Sequence, residues 1–309
     1  MLGRRQRKRE QSTPSGDRRA LEKEIANLHR LLGQQQFNSP EEAQAFLQQL
    51  LSQSRGRVPE QAPRSAVDEA QDVMYEAWDA RGRRRVELAR KALEISPDCA
   101  DAYVLLAEET AATVSEARDL YERGVAAGER ALGEGMFRKE AGHFWEMLET
   151  RPYMRARAGL AACLWELGER EEALDHWVDM LRLNPTDSLG VRYRLVAGLL
   201  AVGRDEVAGK LLQVYQGDPT APWLYSRALC SFRREGNSRR SRRRLREALE
   251  GNPYVPEYLL GKRRLPRRLL EAVGIGDRDE AVSYAAEAMA VWSETAGALE
   301  WLAETWREL

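Results

Sequence analysis

Apolar residues recur along this chain at spacings of three and four, the period of a helix with one buried face, and alternating strand-like stretches are missing. From Asp17 the run Leu21, Ile25, Leu28, Leu32 marks a first helix that Gly33 ends. "NSPEEAQAFLQQLL" marks a second. Ser39 suits the cap, Pro40 the first helical position, and Glu41 and Glu42 the positive end of the dipole. Its apolar face holds Ala43, Phe46, Leu47, Leu50 and Leu51. Two helices cannot bury such faces alone, so this pair needs the main domain or a partner. "SQSRGRVPEQAPRS" (52–65) reads as a linker. The expected organisation is therefore a disordered basic start at 1–16, a helical pair at 17–52, a linker at 53–65 and a repeat domain at 66–309.

The remainder is periodic. Pro185, Pro219 and Pro253 lie 34 residues apart, and Gly168, Gly203 and Gly236 lie 35 and 33 apart. A period of this length, with two helices per unit, is the mark of tetratricopeptide repeats. In the unit 154–187, Leu160, Ala161 and Leu164 share a face of the first helix, Gly168 turns the chain, Ala173 is small where helices cross, and Pro185 stops the second helix. The matching places downstream hold Leu195, Leu199, Gly203, Ala208 and Leu212, then Leu229, Phe232, Gly236, Ser241, Leu245 and Ala248. Between 133 and 153 the register breaks, and a longer connection carries "GHFWEMLETRPY". "GDRDEAVSYAAEAMAVW" is a further helix, capped near Gly276 and Asp277, and "SETAGALEWLAETW" a last one that caps the array. The expected fold class is all-α, a tetratricopeptide-like right-handed α-solenoid of helical hairpins.

In such an array the first helix of each pair lines the concave groove. That register assigns Arg155 and Trp165, then Tyr193, then Trp223, Arg233 and Arg234 to partner binding. Aromatic and arginine side chains suit this role because they dominate interface energetics. The competing reading packs Trp165 and Trp223 between helices. Ala158 and Ala162 stand where a groove that clamps a terminal carboxylate needs Lys and Asn.

Charge changes the picture in one region. The chain of 309 residues has a formal charge of −1, yet residues 233–268 carry a net +9 and residues 1–19 a net +5. The basic patch comprises Arg239, Arg240, Arg242, Arg243, Arg244, Arg246, Lys262, Arg263, Arg264, Arg267 and Arg268. Nucleic acid would be drawn to it through counterion release, with Phe232, Tyr254 and Tyr258 near enough to stack. The alternative pairs these arginines with residues 277–309, which carry eight acidic and two basic groups, in the same chain or in a second copy. Charge separation of this kind also favours self-association.

Several strings exceed the plain repeat pattern. "CADAYVLLAEE" (99–109), "RPYMRARAGLAACLWELG" (151–168), "NPYVPEYLL" (252–260), "GDRDEAVSYA" (276–285) and "GALEWL" (297–302) resemble, in this order, the suppressor of tumorigenicity seven family. The resemblance spans about 85–303. It implies a helical repeat protein without established enzymatic activity, whose eukaryotic members look membrane-associated. The absence of an apolar spanning segment makes this chain look like a soluble, bacterial relative.

Chemistry is sparse. Cys99, Cys163 and Cys230 are far apart and make no metal-ligand spacing, and an odd count without a signal peptide points to reduced thiols in the cytoplasm. His29, His143 and His176 fall on separate segments, so no catalytic constellation can be assigned. Glu108–Glu109 and Glu171–Glu172 read as solvated helix positions, and "GIGDRD" follows no strand and is not a phosphate loop. A pocket around 142–153 that uses His143 is the remaining enzymatic reading. The expectation is thus a non-enzymatic scaffold without cofactor or metal and without membrane insertion. It binds a peptide or protein segment in the groove, and the alternative is a polyanion or RNA-binding repeat protein acting through 233–268.

Overall fold

The computed structural model describes residues 14–53, 63, 65–266 and 274–308. The expected basic start up to residue 13, most of the expected linker, and Arg267 and Arg268 of the basic patch lie outside the described residues. Within them the protein is all-α, a tetratricopeptide-like series of helical hairpins without strands. Two compact units emerge, one of residues 1–169 with 182–185, the other of 170–181 with 186–309.

The first unit contains α1 (Pro14–Leu32), α2 (Pro40–Gln53), α3 (Ala66–Asp79), α4 (Arg83–Ile95), α5 (Ala100–Thr110), α6 (Val114–Lys139) and α7 (Arg151–Leu167). α3 packs on α4, α4 on α5, α5 on α6 and α6 on α7. Ser65 and Thr113 cap α3 and α6 by accepting from the backbone of Asp68 and Glu116. The core around Met74, Leu88, Ala89, Ala92, Ala102 and Leu105 is closed to solvent. α5 is buried over Ala100–Ala107, as befits a helix apolar nearly all round. Gly159 brings α7 so near Tyr121 of α6 that a Cβ there would overlap the ring.

The expected break after residue 132 has a concrete form. Gly133 leaves helical geometry (φ 69°, ψ 158°) and kinks α6. Phe137, Phe144 and Tyr153 then pack together, Tyr153 edge-on to both phenylalanines and these tilted against each other, with centroids 5.0–6.2 Å apart. The amides of Gly142 and Phe144 donate to the Leu183 carbonyl at 3.0 and 3.1 Å. Phe144 is therefore interior filling for an irregular connection, while His143 is exposed beside Glu146.

α1 departs from its pattern. Leu21 is 55% exposed and Ile25, Leu28 and Leu32 are only half-buried, whereas Glu22, Asn27 and Arg30 face inward. Polar partners on α3 and α7 outweigh the apolar stripe in orienting this helix, because each inward charge finds an opposite one.

Most of α8 (Arg170–Leu183) belongs to the second unit, with α9 (Val191–Ala201), α10 (Asp205–Val214), α11 (Ala221–Glu235), α12 (Arg239–Gly251), α13 (Val255–Leu259), α14 (Arg278–Glu294) and α15 (Ala298–Arg307). Its hairpins follow the expected period: α9 packs on α10, α10 on α11 and α11 on α12. The positions predicted to be small, Ala173, Ala208 and Ser241, are all fully buried. Ser241 and Ser238 cap α12 reciprocally, each amide donating to the other's hydroxyl at 2.9–3.0 Å. Asp277 caps α14 as its sequence suggests, accepting from Glu280 at 2.8 Å.

α14 does not simply extend the array. It packs against α9 and α11, the first helices of two hairpins, as well as α13 and α15. Glu280, 4% exposed, accepts from the amide of Ala221 at 3.0 Å and from Asn252 at 2.9 Å. Tyr225 meets Tyr284 and Trp292, whose indole N–H donates to the Tyr284 hydroxyl at 2.9 Å. Arg194 of α9 pairs with Glu287 at 3.1 Å.

Candidate functional site

The first-helix faces expected to line a groove are each partly covered by a helix of their own unit. In the first unit the pivot is Arg155 on α7. It grips the fully buried Asp101 of α5 in a two-pronged pair, Nε to Oδ1 at 2.8 Å and Nη2 to Oδ2 at 2.6 Å. Gln71 of α3 donates to the same carboxylate at 2.9 Å. The remaining Arg155 nitrogen reaches Glu22 of α1 at 3.1 Å, and Arg151 reaches it at 3.2 Å. Arg30 of α1 completes the seat on α3 with Asp72, at 2.7 and 2.9 Å. Burial alone would lower the Arg155 pKa, but Asp101 and then Glu22 outweigh it and raise the value, so the guanidinium is charged throughout. The Cys99 thiol beside this cluster is pushed up to about 12 by burial and by Asp101, which makes it inert. A cavity of about 670 Å³ opens next to α1, between Arg30, Leu32, Gln71, Tyr75, Leu132 and Pro152.

The six groove residues proposed from register do not form one exposed stripe. Arg155 is an interior ion-pair residue. Trp165 is half-buried. In the second unit, Trp223 is fully buried and packed edge-on against Tyr193 and Tyr215, because its ring fills the space between hairpins. Tyr193 is half-buried, donating to Asp218 at 2.8 Å, while Arg192 bridges Asp187 and Asp218 at 2.9 and 2.8 Å. Arg233 donates to the Leu200 carbonyl at 2.7 Å and pairs with Asp205 at 3.1 Å, which ties down the α9–α10 turn. Arg234 is exposed.

The basic patch is likewise divided. Arg246 pairs with Glu308 at 3.0 Å, Arg263 with Glu257 at 2.6 Å and Arg243 with Glu247 at 3.5 Å. Arg242 donates to Asn237 at 2.7 Å, and Lys262 lies 4.1 Å from the Trp306 ring centroid. Arg239, Arg240 and Arg264 are exposed, whereas Arg244 is half-buried. Among the described residues of the patch, only Arg246 and Lys262 meet the C-terminal helix, Arg246 by charge and Lys262 over the Trp306 ring. Register reasoning missed Asp101, Glu22 and Glu280. Asp101 had a signal, a lone acid inside the otherwise apolar "ADAYVLLA", whereas Arg155 is one of three arginines in the first half of α7 and nothing in the sequence singles it out.

Among the described residues no group of three or more His, Cys, Asp or Glu side chains is placed to hold a metal ion, and no helix is long and apolar enough to cross a membrane.

These hairpins and their capped, small-residue crossings define a tetratricopeptide-like helical repeat protein. Comparison narrows the class. A family model described as ST7 protein matches residues 62–309. The chain belongs to the ST7 protein family. It is 30% identical over 260 residues to the Homo sapiens suppressor of tumorigenicity 7 protein-like, covering 76% of this chain and 44% of that protein. The Drosophila melanogaster protein ST7 homolog is 29% identical over 277 residues, 78% of this chain and 49% of the homolog. The chain thus spans about half the length of the curated relatives it matches. Among solved structures, that of YrrB, a TPR protein with an unusual peptide-binding site, aligns with a TM-score of 0.42 at 19% identity, over 60% of this chain and 84% of that one.

Proposed function

We propose that this protein is a non-enzymatic interaction scaffold that binds a peptide or protein segment on the first-helix faces of its hairpins. The observation that carries the reading is the seating of α1. A helix with an acid at position 22 lies on α3 and α7 through Arg151, Arg155 and Asp72, so that face receives a helical segment by charge pairing. An acidic amphipathic helix from a partner fits the same arginines. Of the residues assigned from register, Trp165 keeps surface on the first unit and Tyr193 on the second, while Trp223 holds the frame and Arg155 both pins Asp101 and faces Glu22. The three free cysteines are all buried, which suits a reducing, cytoplasmic setting.

The test is affinity purification of the full chain from its native host, with nuclease, beside a Glu22→Arg variant that loosens α1. Binding to the α1 face predicts a defined protein set whose recovery rises in the variant. Recovery that is unaltered, or that disappears with nuclease in both, rejects this reading.

A further inference from the structure

Arginines from two helices of the second unit converge on a cavity of about 340 Å³ beside α10, formed by Arg227, Arg234, Arg240 and Arg244 above Cys230 and Ser231. Their charges are poorly compensated. Arg227 pairs with Glu247 at 2.7 Å through one nitrogen, yet its buried Nε has no hydrogen-bond partner. Arg244 donates to the Ser231 hydroxyl and has no carboxylate partner among the described residues. Arg234, lying over Gly209, and Arg240 make no ion pair among them either. Glu235 is the single carboxylate of the lining; its charge favours the charged form of Arg244 from a distance but is outweighed by the like charges around it. Burial first, then Arg240 and Arg227, lower the pKa of Arg244, the expected response of a guanidinium held among like charges. Arg227 and Arg244 are half-buried and Arg234 and Arg240 exposed, so an anion from solution can reach the cluster and offset its mutual repulsion.

The size falls in the range of small-ligand sites, and planar guanidinium forks match the oxygens of a phosphoryl group two at a time. The lining contains no aromatic side chain on which a base could stack, which disfavours single-stranded nucleic acid as the occupant. We propose that this cavity binds a small phosphorylated ligand, whose phosphoryl oxygens are held by Arg234, Arg240 and Arg244. The site is independent of the α1 face and of any protein partner there.

Inorganic pyrophosphate titrated calorimetrically into the full chain tests this. One saturable site is expected, weakened by about tenfold or more in Arg240→Gln and in Arg244→Gln, since each removes a charge-assisted contact. Arg239→Gln and Arg264→Gln, outside the lining, leave it unchanged. Melting of unliganded Arg244→Gln should be unaltered or raised, because a repulsive charge is gone. If that variant fails to fold, the exposed Arg240 supplies the same reading. Vesicles of phosphatidylcholine with a phosphorylated phosphatidylinositol distinguish the ligand's source. Co-sedimentation that pyrophosphate reverses marks a lipid headgroup, and pyrophosphate binding without co-sedimentation marks a free ligand. Absence of saturable pyrophosphate binding overturns the proposal. So does RNA binding that pyrophosphate does not displace and that Arg239→Gln and Arg240→Gln weaken equally.

Discussion

Arg155→Met keeps most of the side chain's bulk and removes its charge, and its cost can be worked from the surroundings. Asp101 is fully buried and loses both contacts, at 2.6 and 2.8 Å, retaining only the Gln71 donor at 2.9 Å. Removing one member of a buried pair typically costs about 3–5 kcal/mol. The expected loss is therefore about 3–5 kcal/mol near neutrality, since Asp101 keeps its burial and loses its counter-charge. Urea unfolding followed by circular dichroism, with parent and variant compared at one pH, reads this directly. A loss below about 1 kcal/mol would show that water reaches Asp101 and that the pair is not the pivot described above.

Three further outcomes follow from particular contacts. Gly159→Ala places a methyl group on the Tyr121 ring and should destabilise the first unit by about 1–3 kcal/mol, with Tyr121→Leu in the same chain restoring part of it in a double-mutant cycle. Glu280→Ala strands the Ala221 amide and leaves the Asn252 side-chain amide with the Asp277 carbonyl as its remaining acceptor, and should cost about 1–3 kcal/mol in thermal or urea unfolding. The Glu257 carboxylate is held below its ordinary pKa by a hydrogen bond from Arg278 at 2.7 Å, then by Arg263. Its contribution to stability is present above the unfolded pKa of about 4.5 and lost as pH falls through the folded value, so the melting difference between the parent and Glu257→Gln should close in acid.

The hairpins were legible because local rules agree with one another. Glycines at 168, 203 and 236, prolines at 185, 219 and 253, and small residues at 173, 208 and 241 all report the same period. Ser241 was readable as a small position, and its second role as half of a capping box follows from Ser238 three residues earlier. The arginine-rich second helix of that unit was likewise readable, with Leu245 and Ala248 inward. What each face touches was not readable, because periodicity reports which residues turn inward and not which element covers them. Trp223 has the register of a groove residue and the environment of a core one. α1 shows the same limit in reverse. Its leucines predicted the buried side, yet Glu22 and Arg30 decide the orientation through residues about 130 and 40 positions away, too distant for any local pattern to record.

The crossing of α14 over α9 and α11 alters how the second unit can be assembled. A plain array of hairpins is nearly one-dimensional, so a repeat can be removed from its end and the remainder persists. Here Arg194 is joined to Glu287, Ala221 to Glu280, and Tyr225 to Trp292. These links close loops of tens of residues and give the unit a long-range topology more like that of a globular domain. Loop closure of this kind slows folding relative to local pairing. During synthesis, α9 and α11 emerge well before the helix that covers them, so their inner faces stay open until residue 292 has left the ribosome. Truncation from the C-terminus should for the same reason unfold the unit as a whole instead of shortening it hairpin by hairpin.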